Sequence, residues 1–174
     1  MELNQAIKLI RHPEIQSAEK KNWADLGCGT GLFTQALCAL LAPGSVIFAV
    51  DKNEESLKMV HQPKDVTIQK VCADFVKDEL KLANLNGIMM ANSLHLVRDK
   101  IAFIEKMKSA LIDDGFFLIV EYDTEIPNLY VPFPLSFHSL QTALGKCGFN
   151  SVEKIREMPS RYRRANIYSA LVKM

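Results

Sequence analysis

The chain has 174 residues, room for one domain with a single substantial core, and 48% apolar against 24% charged residues suits a globular protein. A net charge of +1 excludes a global field that would draw the protein to nucleic acid or an anionic membrane. No apolar run reaches the length of a membrane span, and Met1 to Arg11 lack a cationic-then-apolar leader pattern, so a cytoplasmic protein is expected.

Apolar residues at positions 3, 6, 7 and 10 have helical spacing. His12-Pro13 ends that element, because the residue before a proline avoids the helical region. A short strand, Asn22-Trp23-Ala24, runs into Asp25-Leu26-Gly27-Cys28-Gly29-Thr30-Gly31. Glycines at alternate positions let the backbone turn sharply and come close to a ligand. Leu32, Phe33, Ala36, Leu37, Leu40 and Leu41 make one face of the next helix. Its free N–H groups point back at the turn and favour a negative or strongly polar ligand. Pro43-Gly44 ends the helix and opens a second strand, Val46 to Val50, apolar throughout as in a parallel sheet buried on both faces. That strand ends at Asp51, twenty residues beyond Gly31, where an acid would hold the hydroxyls of a ribose. Turn and acid together indicate a site for a nucleoside-containing cofactor.

The dinucleotide fingerprint G-x-G-x-x-G would need glycine at position 32, where Leu32 stands; the glycines run G-x-G-x-G. That spacing, behind Asp25 and Leu26, resembles motif I of the class I S-adenosylmethionine-dependent methyltransferases. The resemblance covers about residues 22–122 by motif and the whole chain by element order. It implies S-adenosylmethionine as cofactor and S-adenosylhomocysteine as product. Asp25 would then hold the methionine amine, and the backbone of Gly27, Cys28, Gly29 and Gly31 would lie against the methionine portion. Asp51, with Lys52 beside it, would bind the ribose. The implied fold is a three-layer α/β/α Rossmann-like sandwich with a seven-stranded, mostly parallel sheet of order 3-2-1-4-5-7-6, strand 7 antiparallel. A single methyltransferase domain over residues 1–174 is expected, with 1–21 a short N-terminal helix or lid and 22–174 the core.

Glu54 to His61 reads as a second helix, and Thr67 to Cys72 as a third strand ending at Ala73-Asp74-Phe75. The resemblance gives Asp74 the exocyclic amine of adenine, with a neighbouring backbone N–H meeting the ring. Alternatively Asp74 caps a short helix around Val76 to Leu80. A fourth strand, Asn86 to Ala91, leads into Asn92-Ser93-Leu94-His95, at the crevice where open α/β sheets bind ligands. This matches the family's motif IV, which closes over the methyl donor and faces the acceptor. Neither Asn-Pro-Pro-Tyr nor a Pro-Cys nucleophile is present, so the resemblance does not extend to enzymes that methylate exocyclic base nitrogens, glutamine amides or pyrimidine carbon 5. His95 is either a base or a satisfied polar residue packed beside the next helix.

Ile101, Ile104, Met107 and Leu111 continue a helix that stops at Asp113-Asp114-Gly115, and Phe116 to Tyr122 is a fifth strand, turning polar at Glu121-Tyr122-Asp123. Pro127, Pro132 and Pro134 keep Thr124 to Ser136 out of helix and sheet. Tyr130 and Phe133 in that loop either wall a substrate pocket or anchor the loop to the core. Ser136 caps a helix running to Lys146, and residues 149–155 and 165–172 form a closing antiparallel pair. Between them Arg161, Arg163 and Arg164 could meet an anionic substrate or RNA phosphates, or merely tip a solvated hairpin; Arg161 alone could reach a carboxylate in the pocket.

The reading that follows is a methyltransferase moving a methyl group to an O, N or other nucleophilic atom of a small molecule by in-line displacement. Glu121, His95, Tyr122 and His138 are candidates for the base an acceptor hydroxyl or ammonium would need, Glu121 first because it ends a buried strand. An RNA methyltransferase using Arg161 to Arg164 and a non-catalytic cofactor-binding scaffold are the alternatives. Cys28, Cys38, Cys72 and Cys147 form no C-x-x-C pair, so no metal or disulfide is expected. The last three lie in or beside apolar runs and are expected to be buried thiols. Nucleic acid and membrane are not expected partners; a homodimer is compatible with the sequence.

Overall fold

Seven strands, β1 (Asn22–Leu26), β2 (Val46–Asp51), β3 (Thr67–Cys72), β4 (Leu85–Ala91), β5 (Leu111–Tyr122), β6 (Ser151–Pro159) and β7 (Asn166–Lys173), join in one sheet of order β3-β2-β1-β4-β5-β7-β6, with the mixed-polarity β3 and β6 at its edges. All neighbours from β3 to β5 pair in parallel, and β7 runs antiparallel to both β5 and β6. The order and the reversed strand are those expected from the sequence. The structure, a computed structural model, describes residues 1–146, 148–160 and 165–173. Cys147 and Arg161 to Arg164 lie outside the described residues, and with them the expected arginine hairpin and the substrate contact of Arg161.

Helices α1 (Leu3–Ile10), α2 (Leu32–Cys38) and α3 (Glu54–Met59) cover one face of the sheet; α4 (Lys100–Lys108) and α5 (Phe137–Lys146) cover the other. Strand side chains alternate between faces. Trp23 therefore packs with Phe33, Leu37 and α1, while Ala24 and Leu26 pack with Phe103, Ile104 and Leu140. Trp23 is fully buried and meets Phe116 edge-on at 5.3 Å. Helix α1 buries Ala6, Leu9 and Ile10, and the Ser169 hydroxyl donates to the Leu9 carbonyl at 2.6 Å, tying the helix end to β7. Because β1 to β4 run in parallel beside β5, Gly27, Asp51, Asp74, Asn92 and Tyr122 all fall at the same, carboxyl edge of the sheet.

Four local expectations are corrected. The helix expected to reach Leu111 ends at Lys108: Leu111 pairs with Leu85 and Phe116 with Gly87, so residues 112–115 form a bulge in β5. The ladder to β4 wins because it satisfies the Leu85 N–H, which donates to the Ala110 carbonyl at 2.9 Å. The short helix expected around Val76 to Leu80 is only a turn, because one turn cannot repay helix nucleation. Finally, Cys28 is buried, but Cys38 is only half-buried and Cys72 is exposed on the edge strand β3. Helix α3 also stops early, since Val60 is extended and its side chain packs under Gly31. No helix among the described residues is long and apolar enough to cross a membrane.

Candidate active site at the carboxyl edge of the sheet

The glycine turn is pinned from below and open above. Gly27 and Cys28 donate to the Val50 carbonyl at 2.8 and 3.0 Å, which holds the turn against β2. Gly27 has φ +80°, and a Cβ there would come within 2.6 Å of the Ser93 Cβ, so only glycine fits. At Gly29, φ +53°, a Cβ would meet nothing within 4 Å. That is the approach a ligand would use.

Two carboxylates flank the turn. Asp51 is bidentate: Oδ2 accepts the Gly29 N–H at 2.8 Å and Oδ1 accepts the Asn53 N–H at 2.9 Å. It therefore shapes the loop. Asp25, 1% exposed, accepts the Thr34 hydroxyl on Oδ2 at 2.6 Å, while Oδ1 is buried without a partner. Burial pushes its carboxyl up to about 7, the Thr34 hydrogen bond opposes this, and the nearby Asp51 charge adds to it. A buried carboxylate oxygen with no donor is costly, and a cationic ligand would satisfy it. Thr34 escaped sequence reading. Its signal was a polar residue inside the first turns of a helix whose other inward positions are apolar.

Asp74 receives the Val76 N–H on Oδ1 at 3.1 Å, and Asp78 takes the Asp74 N–H at 2.8 Å. Asp74 thus caps the turn after β3. Phe75 is buried, edge-on to Phe103 at 5.9 Å, and its ring lies 3.1 Å from where a Gly27 Cβ would be. Lys52 is exposed beside Asp51. On the β4 side, Asn92 takes the left-handed conformation, φ +54°, rare for a residue with a side chain, and its Oδ1 is buried without a partner. The Ser93 hydroxyl donates to the Leu26 carbonyl at 2.5 Å and ties the tip of β4 to that of β1. Ser93 was also missed, because only tertiary pairing brings it to Gly27.

Further along this edge His95 and Glu121 meet, both buried. His95 Nδ1 lies 2.7 Å from Glu121 Oε2, and the His95 N–H donates to Oε1 at 3.0 Å. A carboxylate can only accept, so opposite Glu121 Oε2 the donor is His95 Nδ1–H. Tyr122 is half-buried beside Glu121. Phe133 donates its N–H to the His95 carbonyl at 3.1 Å, bringing the proline-rich loop to the pair. Tyr130, by contrast, is 82% exposed on that loop, where Asn128 holds its N–H at 2.9 Å. His138 is exposed on α5. Ser136 caps α5 as expected, accepting the Ser139 N–H at 3.2 Å.

Residues 4–169 match a methyltransferase-domain family. The chain belongs to that family. With its sheet order, it is a class I S-adenosylmethionine-dependent methyltransferase by family and fold, and its cofactor is S-adenosylmethionine, with S-adenosylhomocysteine as product. No curated protein matches the chain by sequence. Many solved structures are similar in fold. A S-adenosylmethionine-dependent methyltransferase from Aquifex aeolicus superposes with a TM-score of 0.64 over 100% of both chains at 15% identity. One from Leishmania major gives 0.74 over 98% of this chain and 71% of its own at 14% identity. The plantazolicin methyltransferase, solved in complex with S-adenosylhomocysteine, gives 0.65 over 97% of this chain and 82% of its own at 12% identity.

Proposed function

We propose that this methyltransferase acts on a small molecule through a hydroxyl or amine, and that His95, held by Glu121, takes the proton which that group must lose. The single observation carrying this reading is the buried His95–Glu121 pair, 2.7 Å between Nδ1 and Oε2, at the edge where the glycine turn opens.

When bound, S-adenosylmethionine supplies a methyl carbon already activated by its sulfonium. The rest falls to the chain's own residues. The unpartnered Asp25 Oδ1 suits the methionine ammonium, and the open approach at Gly29 suits the close passage of the ligand along the backbone of Gly27 to Gly31. Asp51 would hold the ribose, with Lys52 beside it, and Asp74 and Phe75 would border the adenine. Asn92 Oδ1, buried and unpartnered, stands at the β4 tip for a polar group of the ligand. Two carboxylates close to the turn also complement a cofactor whose net charge is positive.

For the acceptor, Glu121 fixes which His95 nitrogen is protonated, leaves Nε2 basic and stabilises the imidazolium formed after proton uptake. Glu121 is thereby a positioning residue rather than the base itself, because both its oxygens are engaged by His95. Tyr122 and Phe133 flank this pair; Tyr130 would contribute only if the loop folds inward on an acceptor. Burial keeps water from the base and lets alignment do most of the catalysis.

The test begins with calorimetry: S-adenosylhomocysteine should bind and NAD should not. An acceptor screen by product mass, repeated with His95→Ala, follows. Cofactor binding with no turnover across hydroxyl- and amine-bearing acceptors would support the scaffold alternative instead.

A further inference from the structure

The molecule holds a cavity of about 450 Å³ that the cofactor does not account for. It lies between the first turn of α4 and the helix α5, which follow β4 and β5, so it belongs to the same edge as His95 and Glu121. Its walls are aliphatic: Ile101, Ile104, Leu135, Leu140 and Leu144. Its rim is polar, formed by Arg98, Asp99 and Lys100. The volume is that of a small-molecule site.

The charges on the rim do not cancel. Asp99 is engaged as the N-cap of α4, its Oδ1 accepting the Ala102 N–H at 3.0 Å. Arg98 makes no ion pair among the described residues. Lys100 is half-buried and has no carboxylate within ion-pair distance among them; its Nζ donates to the Val97 carbonyl at 3.0 Å and sits 5.7 Å from the centre of the Phe133 ring. Desolvation pulls its ammonium below the usual lysine range, against the more distant Glu121 and Glu125 charges that favour it. A partly desolvated cation beside an apolar cavity, without a counter-ion, is a cost the free protein carries and an anionic ligand would remove.

The same lysine links the cavity to the proposed base. Phe133, under Lys100, donates its N–H to the carbonyl of His95. A molecule whose body fills the aliphatic walls and whose anion meets Lys100 and Arg98 would be held next to the His95–Glu121 pair.

We propose that this cavity is the acceptor subsite and that it selects an amphipathic organic acid: an apolar body between Ile104 and Leu140, and a carboxylate held by Lys100 and Arg98. This inference rests on the small-molecule reading above and names its substrate class.

Amide-resolved NMR titration with octanoate and, separately, with 1-octanol tests it, alongside calorimetry with S-adenosylhomocysteine on every variant. Octanoate should move the amides of residues 98–104 and 140–144 and bind about tenfold more tightly than octanol, the discrimination expected of a charge-assisted contact. Lys100→Met combined with Arg98→Ala should erase that preference while octanol binding persists. Ala143→Trp, which fills the cavity from α5, should abolish both. Equal binding of octanoate and octanol, or no octanoate shift in a protein that still binds S-adenosylhomocysteine, overturns the inference. Failure to bind S-adenosylhomocysteine strikes the methyl-transfer reading instead.

Discussion

Around β1 and β2 the site is made of backbone, and around β4 and β5 it is made of side chains. The first half comes from one continuous run, Gly27 to Gly31, whose shape is held by two hydrogen bonds to Val50 and one to Asp51. The second half is assembled from Asn92 to His95, Glu121, Phe133 and Lys100, which meet only because β4 lies between β1 and β5. In the proposed reaction the first half would read the cofactor, which every turnover shares, and the second half would read whatever accepts the methyl group. This difference predicts that damage to the two halves should separate: the first should lose cofactor affinity, the second should lose turnover with cofactor affinity kept.

The largest separation should come from His95→Ala, with turnover falling about 10²- to 10⁴-fold, as removal of a positioned base does, and S-adenosylhomocysteine affinity unchanged by calorimetry. Glu121→Gln should lower turnover less, because a neutral amide can still hold the His95 ring but cannot offset the imidazolium charge. If cofactor affinity fell together with turnover in either variant, the two halves would not be independent. On the other side, Gly29→Val should remove cofactor binding because its side chain would fill the open approach; φ +53° also strains a β-branched residue, so melting should stay cooperative at a lower temperature, with circular dichroism unchanged.

Smaller effects sharpen the comparison. Asp51→Ala should weaken S-adenosylhomocysteine binding by about 1–3 kcal/mol, the cost of charge-assisted hydrogen bonds, compounded by loosening of the turn at Gly29. Unchanged affinity would remove Asp51 from the proposed ribose contact. The pH dependence of stability should report Asp25. Its folded carboxyl lies near 7, raised by burial, against an ordinary value of 3.8. Between those two values the folded chain keeps a proton that the unfolded chain has released, so free-protein stability should fall as pH rises across this window and level off above it. A cofactor ammonium favours the ionised form, so S-adenosylhomocysteine should bind more tightly as pH rises toward 7. Thermal melts of the free protein and of Asp25→Asn, with and without ligand, check both signs. The slightest change should follow Phe133→Ala, a rise of the acceptor's KM with cofactor affinity intact.

Much of this protein was legible before any coordinates. The strand-turn-helix over Asn22 to Cys38 and the acid ending β2 rest on local signals, spacing of glycines and helical and strand periodicity, while the sheet order came from the resemblance those signals carry. Such signals survive because each is written within a few residues. Where two local preferences compete, sequence pattern misleads: Leu111 fits a helix face, yet pairs with Leu85, and the residues after Asp74 form a turn and no helix.

The partnership of side chains was decided elsewhere. His95 and Glu121 lie 26 positions apart and meet because their strands are neighbours. Thr34 reaches Asp25 because α2 lies over β1, and Ser93 ties β4 to β1 only once the sheet has formed. The sequence by itself determined the glycine turn and the strand and helix segments, since these are sums of local preferences, while the order of the strands was expected only through the resemblance to a family. Only the tertiary structure decided that Asp25 would be buried with one oxygen unpaired, that Glu121 would spend both oxygens on His95 and that Lys100 would face an apolar cavity without a counter-ion. Each of these depends on desolvation and on which strands lie side by side, and no run of adjacent residues carries that information.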